Sequence, residues 1–241
     1  MSAAPGVFVT GTDTGCGKTR VGCALARRAR EAGRTVRILK PVETGCEAGP
    51  DGELQPADAR ALAAAAADDS PLDRLCPYRL PLAAAPEVAA SEAGVSIRPE
   101  RIAAAFARAR EQADWVLVEG AGGLLVPIAP GLDMAELASG LGLPLVVVAR
   151  ASLGTINHTL LTLDAARARG LRVAGVAVSH TTPDLDPAGR RNLELLIENL
   201  PVPFLGELAH GAESFSATPG QVGLSAALGL DGLDRPGRGA D

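Results

Sequence analysis

Aromatic residues are scarce in this chain of 241 residues, which has one Trp, one Tyr and four Phe. So few rings leave little surface for exposed bases to stack on, which excludes an ordinary single-strand nucleic-acid binder. A formal charge of −5 argues the same way, because a phosphate backbone is met by a surplus of cations. No run approaches the roughly 20 apolar residues that cross a bilayer. The opening MSAAPGVFVTGTD has no basic segment leading into a long apolar one. The four cysteines (Cys16, Cys23, Cys46, Cys76) form no C-x-x-C pair, and His158, His180 and His210 lack metal-site spacing. These absences predict a cytoplasmic protein with reduced thiols and no nucleic-acid or membrane partner.

Lysine is scarcer still. Of 23 basic residues only Lys18 and Lys40 are lysines. A lysine kept where every other cation is arginine marks a place for a compact, rotatable point charge rather than a planar fork.

With 47% hydrophobic residues and almost no rings, the core must be built from Ala, Val and Leu. Apolar runs at Val7–Thr10, Val36–Lys40, Trp115–Glu119, Leu145–Ala149, Val173–Val178 and Val202–Leu205 read as strands. Helical patterns lie between them at Lys18–Ala32, Asp58–Ala67, Arg98–Gln112, Ile156–Ala168 and Ala188–Leu200, with a weaker one at Leu132–Gly140. Strands apolar throughout and separated by helices predict an α/β fold of three layers, a central mostly parallel sheet flanked by helices. Pro-containing stretches at 50–56 and 77–86 read as loops. One domain is expected over 1–228, with a flexible tail over 229–241.

GTDTGCGKT follows the first strand and opens the first helix, the context of a phosphate-binding P-loop. The backbone of Thr12, Asp13, Thr14, Gly15, Cys16 and Gly17 would cradle phosphates, Lys18 would reach the β and γ oxygens, and Thr19 would ligate Mg²⁺. Strict spacing would place the first glycine at position 12, where this chain has Thr12, with Gly11 one residue further out. The helix after Lys18 carries the chain about 20 Å away at 1.5 Å per residue. The strand ending at Lys40 brings it back about 20 Å at roughly 3.3 Å per residue. Lys40 is therefore expected beside Lys18, at the carboxyl rim where open α/β sheets bind ligands. Glu119 closes another apolar strand and reads as a Mg²⁺ ligand, with Gly120, Ala121 and Gly122 leaving room for phosphate. Asp58 begins an Ala-rich helix and reads equally well as a helix cap. Gly154, Thr155, Ile156 and Asn157 open another helix, whose N–H groups could hold an anion or be capped by Ser152 or Thr155.

Four motifs in order, GTDTGCGKT, KPVETG (Lys40–Gly45), VEGAGG (Val118–Gly123) and LGTINH (Leu153–His158), resemble the signatures of the dethiobiotin synthetase family and span most of the first 160 residues. The resemblance implies a P-loop NTPase fold and an ATP- and Mg²⁺-dependent ligase that carboxylates 7,8-diaminononanoate with CO₂ and closes a ureido ring. It implies that Lys18 and Lys40 are catalytic, and that Thr19, Asp58 and Glu119 hold the metal. Thr14, Lys40 and Thr44 would meet the diamine, and Gly154–Asn157 its distant carboxylate across a homodimer interface. Where the family often presents Asn-Asp to the base, this chain has Ser179-His180, followed by a looser match at Ala209, His210, Gly211 and Glu213. Those substitutions leave other nucleoside triphosphates open beside ATP. A ParA-like switch resembles K-G-G-x-G-K-T, with a lysine where this chain has Asp13. A cobyrinate-type amide synthase shares the expected sheet but usually carries a glutaminase domain.

Overall fold

The computed structural model describes residues 5–216 and 224–230. Its centre is a six-stranded sheet of β1 (Gly6–Gly11), β2 (Val36–Leu39), β3 (Trp115–Gly123), β4 (Leu145–Arg150), β5 (Val173–Ser179) and β6 (Phe204–Leu208). The strands lie in the order β6-β5-β4-β1-β3-β2, every neighbouring pair parallel. Helices α1 (Lys18–Glu31), α2 (Ala57–Ala66), α3 (Pro99–Glu111), α4 (Met134–Leu141), α5 (Thr155–Ala168) and α6 (Pro187–Glu198) join and cover them.

The continuous apolar runs follow from burial on both faces. Val7 and Val9 of β1 pack on one side of the sheet with Leu117, Val146 and the α1 residues Val21 and Leu25. Phe8, between them, packs on the other side with Val118, Val147 and Met134. Alternate side chains of one strand thus enter two cores. Trp115 is wholly buried, and its indole N–H donates to the Leu228 carbonyl at 3.1 Å. That bond satisfies the ring's one polar atom and ties the segment at 224–230 to the sheet.

All six expected strands are present, and the sheet is parallel throughout. The last strand starts later than its apolar pattern: Pro203 has no N–H to give a ladder, and regular pairing begins at Phe204. Helix α4 begins at Met134, because Asp133 just ahead of it forms a reciprocal capping box with Glu136 in its first turn. The Pro-containing stretches are not simple loops. Val42–Thr44 pairs in parallel with Tyr78–Leu80, Leu54–Gln55 pairs with Glu47–Ala48, and Pro86 starts a short helix reaching Glu92. Residues 231–241, most of the expected tail, lie outside the described residues; Leu228 and Leu230 are buried.

Register places the chemistry. Val9 of β1 pairs with Glu119 of β3, and Leu39 of β2 pairs with Val118. Lys40, next after Leu39, therefore emerges beside Glu119 at the rim where β1 runs into the phosphate loop.

Candidate active site

The loop between β1 and α1 is shaped by its glycines. Gly15 and Gly17 have φ of +70° and +95°, a left-handed region costly for other residues. A Cβ at Gly17 would overlap the Ser179 hydroxyl. Gly11 explains the displaced first glycine: a Cβ there would stand 2.5 Å from the Cys16 sulfur and 2.9 Å from the Asp13 carbonyl. Cys16 is a fully buried filler of the loop. The Thr12 N–H donates to Val148 of β4, hooking the loop onto the sheet, and the Lys18 ammonium donates to the Asp13 carbonyl at 3.0 Å.

Lys40 and Glu119 form the second half. The Lys40 ammonium lies 2.6 Å from Glu119 Oε1 and 3.2 Å from Asp58 Oδ2, and it also donates to the Gly120 carbonyl. Thr19 donates its hydroxyl proton to Glu119 Oε1 at 2.9 Å. Burial opposes the charge on Lys40, but Glu119 and then Asp58 outweigh it and hold its pKa above the ordinary lysine value. Burial likewise opposes ionisation of Asp58. Lys40, Thr19 and Lys18 overcome that, so Asp58 titrates below the ordinary carboxylate range. Both ammonium groups therefore act on one carboxylate.

Asp58 is the second residue of α2 and is not its cap. That service comes from Glu43, whose two carboxylate oxygens accept the N–H groups of Asp58 at 2.9 Å and Ala59 at 3.0 Å. Burial pushes the Glu43 pKa up, the two N–H bonds partly counter it, and the nearby Asp58 charge adds to the rise. Sequence reading missed Glu43, since a cap borrowed from 15 residues upstream has no local signature.

These groups open into a cavity of about 630 Å³. Of the expected residues, Thr14, Gly15, Gly17, Lys18, Thr19, Lys40, Thr44, Asp58, Ala121, Gly122 and His210 line it. Arg20, Glu43, Val126 and Thr181, which sequence reading did not single out, line it too, and Ala83–Pro86 supply an apolar ledge. Glu119 lies behind the wall with no exposed surface. Its Oε2 accepts no hydrogen bond from any described residue, and a Cβ on Gly22 would come within 3.3 Å of it. Among the described residues no three His, Cys, Asp or Glu side chains gather as a metal cluster. The donors here are two carboxylates and a hydroxyl, a set of hard oxygens.

At the far end of the phosphate loop, Ser179 is buried against Gly17 with its hydroxyl unpartnered among the described residues. The His180 ring turns inward, its Nε2 lying 2.6 Å from Glu207 Oε2, which also takes Arg190 at 2.9 Å. Glu213 pairs with Arg27 at 3.4 Å.

Gly154, Thr155, Ile156 and Asn157 do not join the wall of the cavity. Neither Ser152 nor Thr155 caps α5. The cap position is Gly154, at φ +90° and with no side chain to cap with, and the buried Thr155 hydroxyl has no partner among the described residues. Leu153 beside them is 85% exposed.

Residues 5–214 match the family described as an AAA domain. The ATP-dependent dethiobiotin synthetase BioD of Aromatoleum aromaticum is 46% identical over 221 residues, 92% of this chain and 96% of that protein. The protein of the same name from Anaeromyxobacter dehalogenans is 46% identical over 183 residues, 76% of this chain and 80% of its own length. Among solved structures, a ParA family ATPase from Chlorobium tepidum matches with a TM-score of 0.52 at 16% identity, covering 84% of each chain. A likeness at that identity is one of fold.

Proposed function

This chain belongs to the dethiobiotin synthetase family, and from that membership we propose that it is the ATP-dependent ligase that closes a ureido ring on 7,8-diaminononanoate with CO₂. The observation that carries the reading is the meeting of Lys18, Lys40, Thr19 and Asp58 on one cavity, with Glu119 directly behind.

One substrate amine attacks CO₂ and loses a proton, giving a carbamate. A carbamate oxygen attacks the γ phosphorus of ATP, and ADP leaves. The second amine attacks the activated carbon and gives up a proton, and phosphate departs as the carbon–oxygen bond breaks and the ring closes. Each step builds or moves negative charge on oxygen. Lys40, held protonated by its two carboxylates, and Lys18 would offset that charge as fixed cations, and fixed charge is the main means by which phosphoryl transfer is accelerated. Thr14 and Thr44, on the cavity wall, would meet the diamine end, and the apolar ledge at Ala83–Pro86 would meet its carbon chain.

The orphaned Glu119 Oε2, the Thr19 hydroxyl and Asp58 fit a magnesium ion, and these three would hold it. When bound, that ion would neutralise phosphate charge beside the two lysines. The Gly154–Asn157 helix start, uncapped and outside the cavity of its own chain, is assigned to the substrate carboxylate in the cavity of a second copy. A homodimer follows from that assignment, and the exposed Leu153 and Leu161 beside it are the apolar surface such a contact would cover.

A ParA-like switch is less supported, because Asp13 stands where that class has its additional lysine and instead accepts the Thr14 N–H. Phosphate release from ATP by the purified chain tests the proposal. Release should need both diamine and bicarbonate; release indifferent to the diamine would reject it.

A further inference from the structure

Arg20 follows Thr19 on the first turn of α1 and lines the cavity, so a phosphate contact is the obvious role for its guanidinium. Its hydrogen bonds lead elsewhere. Nη1 donates to the His180 carbonyl at 2.9 Å, and Nη2 donates to the Ala209 carbonyl at 2.6 Å and the Ala212 carbonyl at 3.3 Å. Three backbone oxygens on two segments, far apart in sequence, meet on one side chain. Those segments follow the ends of β5 and β6 and flank the phosphate loop, where Ser179 already packs on Gly17. The planar fork of arginine, with its five donors, suits such a bridge in a way that lysine does not.

We infer that Arg20 is a positioning residue for the nucleobase. It clamps the His180 segment and the Ala209–Ala212 segment to the helix that carries the phosphate loop, and so sets the distance between base and phosphates. The inference rests on the reading that these two segments hold the base. The inward-turned His180 ring agrees with it: Glu207 holds the ring, which leaves backbone position rather than the imidazole as what this segment offers.

The test compares ATP with inorganic tripolyphosphate, which has the phosphates and no base. Calorimetric titration of the whole chain with each, in Mg²⁺, is made for wild type and for Arg20→Met, which keeps the stem and removes the fork. The variant should lose about tenfold in ATP affinity, the scale of one or two lost hydrogen bonds to a charged group. Its tripolyphosphate affinity should stay within twofold of wild type, and that retained binding also certifies its fold. Equal losses for both ligands would make Arg20 a phosphate contact and overturn the inference, as would unchanged ATP affinity. Wild-type protein binding ATP no more tightly than tripolyphosphate would instead remove the base-binding reading, and the inference with it.

Discussion

The ammonium of Lys40 lies 2.6 Å from the carboxylate of Glu119, both groups almost wholly buried, at the rim where β2 ends and its pairing with β3 stops. The pair is two opposite charges already removed from water. Removing one member leaves the other buried and unpaired, which costs about 3–5 kcal/mol where the pair is deeply buried.

Lys40→Ala should therefore fall in stability by about 3 kcal/mol and lose about a hundredfold or more in kcat, as when one fixed charge is deleted from a transition state. Its ATP dissociation constant should change little, since Lys18 and the loop backbone remain. Denaturant melts, turnover and calorimetry check the three parts separately. An unchanged kcat would make Lys40 a structural cation only.

Glu43 is predicted to act through Asp58. Glu43→Ala leaves two N–H groups at the start of α2 without acceptors, at a cost of about 1–3 kcal/mol. It also frees the turn that carries Asp58, so the Mg²⁺ concentration for half-maximal activity should rise more than kcat falls. Glu43→Gln, with one carbonyl oxygen for two donors, should lie between. Equal Mg²⁺ requirements in all three proteins would show that the cap does not govern the carboxylate.

Gly17→Ala meets two penalties: a φ of +95° and overlap with the Ser179 hydroxyl. Nucleotide binding should be abolished. Adding Ser179→Gly relieves only the overlap, so the double variant should recover part of the stability and little of the binding. Full recovery would mean that backbone strain is negligible there.

Burial, and then Glu119, push the Cys23 thiol from 9.0 up to about 11, and burial raises Cys46 and Cys76 as well. The folded protein holds these protons more tightly than the unfolded chain. Their contribution to stability is complete below the unfolded value of 9.0, and the Cys23 share is lost as pH rises through about 11. The unfolding free energy should fall across that window, by up to about 1.4 kcal/mol per pH unit for one thiol. Cys23→Ala should flatten the fall, and a slope identical to wild type would contradict the assignment.

Lys40 and Glu119 are legible in the sequence because each ends an apolar run, and because lysine is rare enough to stand out. The parallel sheet is legible for the same reason: strands buried on both faces carry no alternation. Glu43 and Arg20 are not legible. Glu43 serves a helix that starts 14 residues later, beyond a turn with no periodicity, and Arg20 is one arginine among many until its three carbonyl partners are known. Asp58 reads as either a metal ligand or a cap from its place at a helix start, and the cap arrives instead from Glu43 through tertiary contact. The inward turn of His180 depends on Glu207, which lies on a neighbouring strand.

Product stoichiometry tests most directly whether ATP cleavage in this crevice is coupled to ring closure. Purified chain given ATP, Mg²⁺, bicarbonate and 7,8-diaminononanoate is followed by mass spectrometry alongside ADP and phosphate. Dethiobiotin, ADP and phosphate should appear in equal amounts, and none should form when the diamine is withheld. ADP accumulating without the cyclic product would contradict the claim that this crevice couples ATP to ring closure.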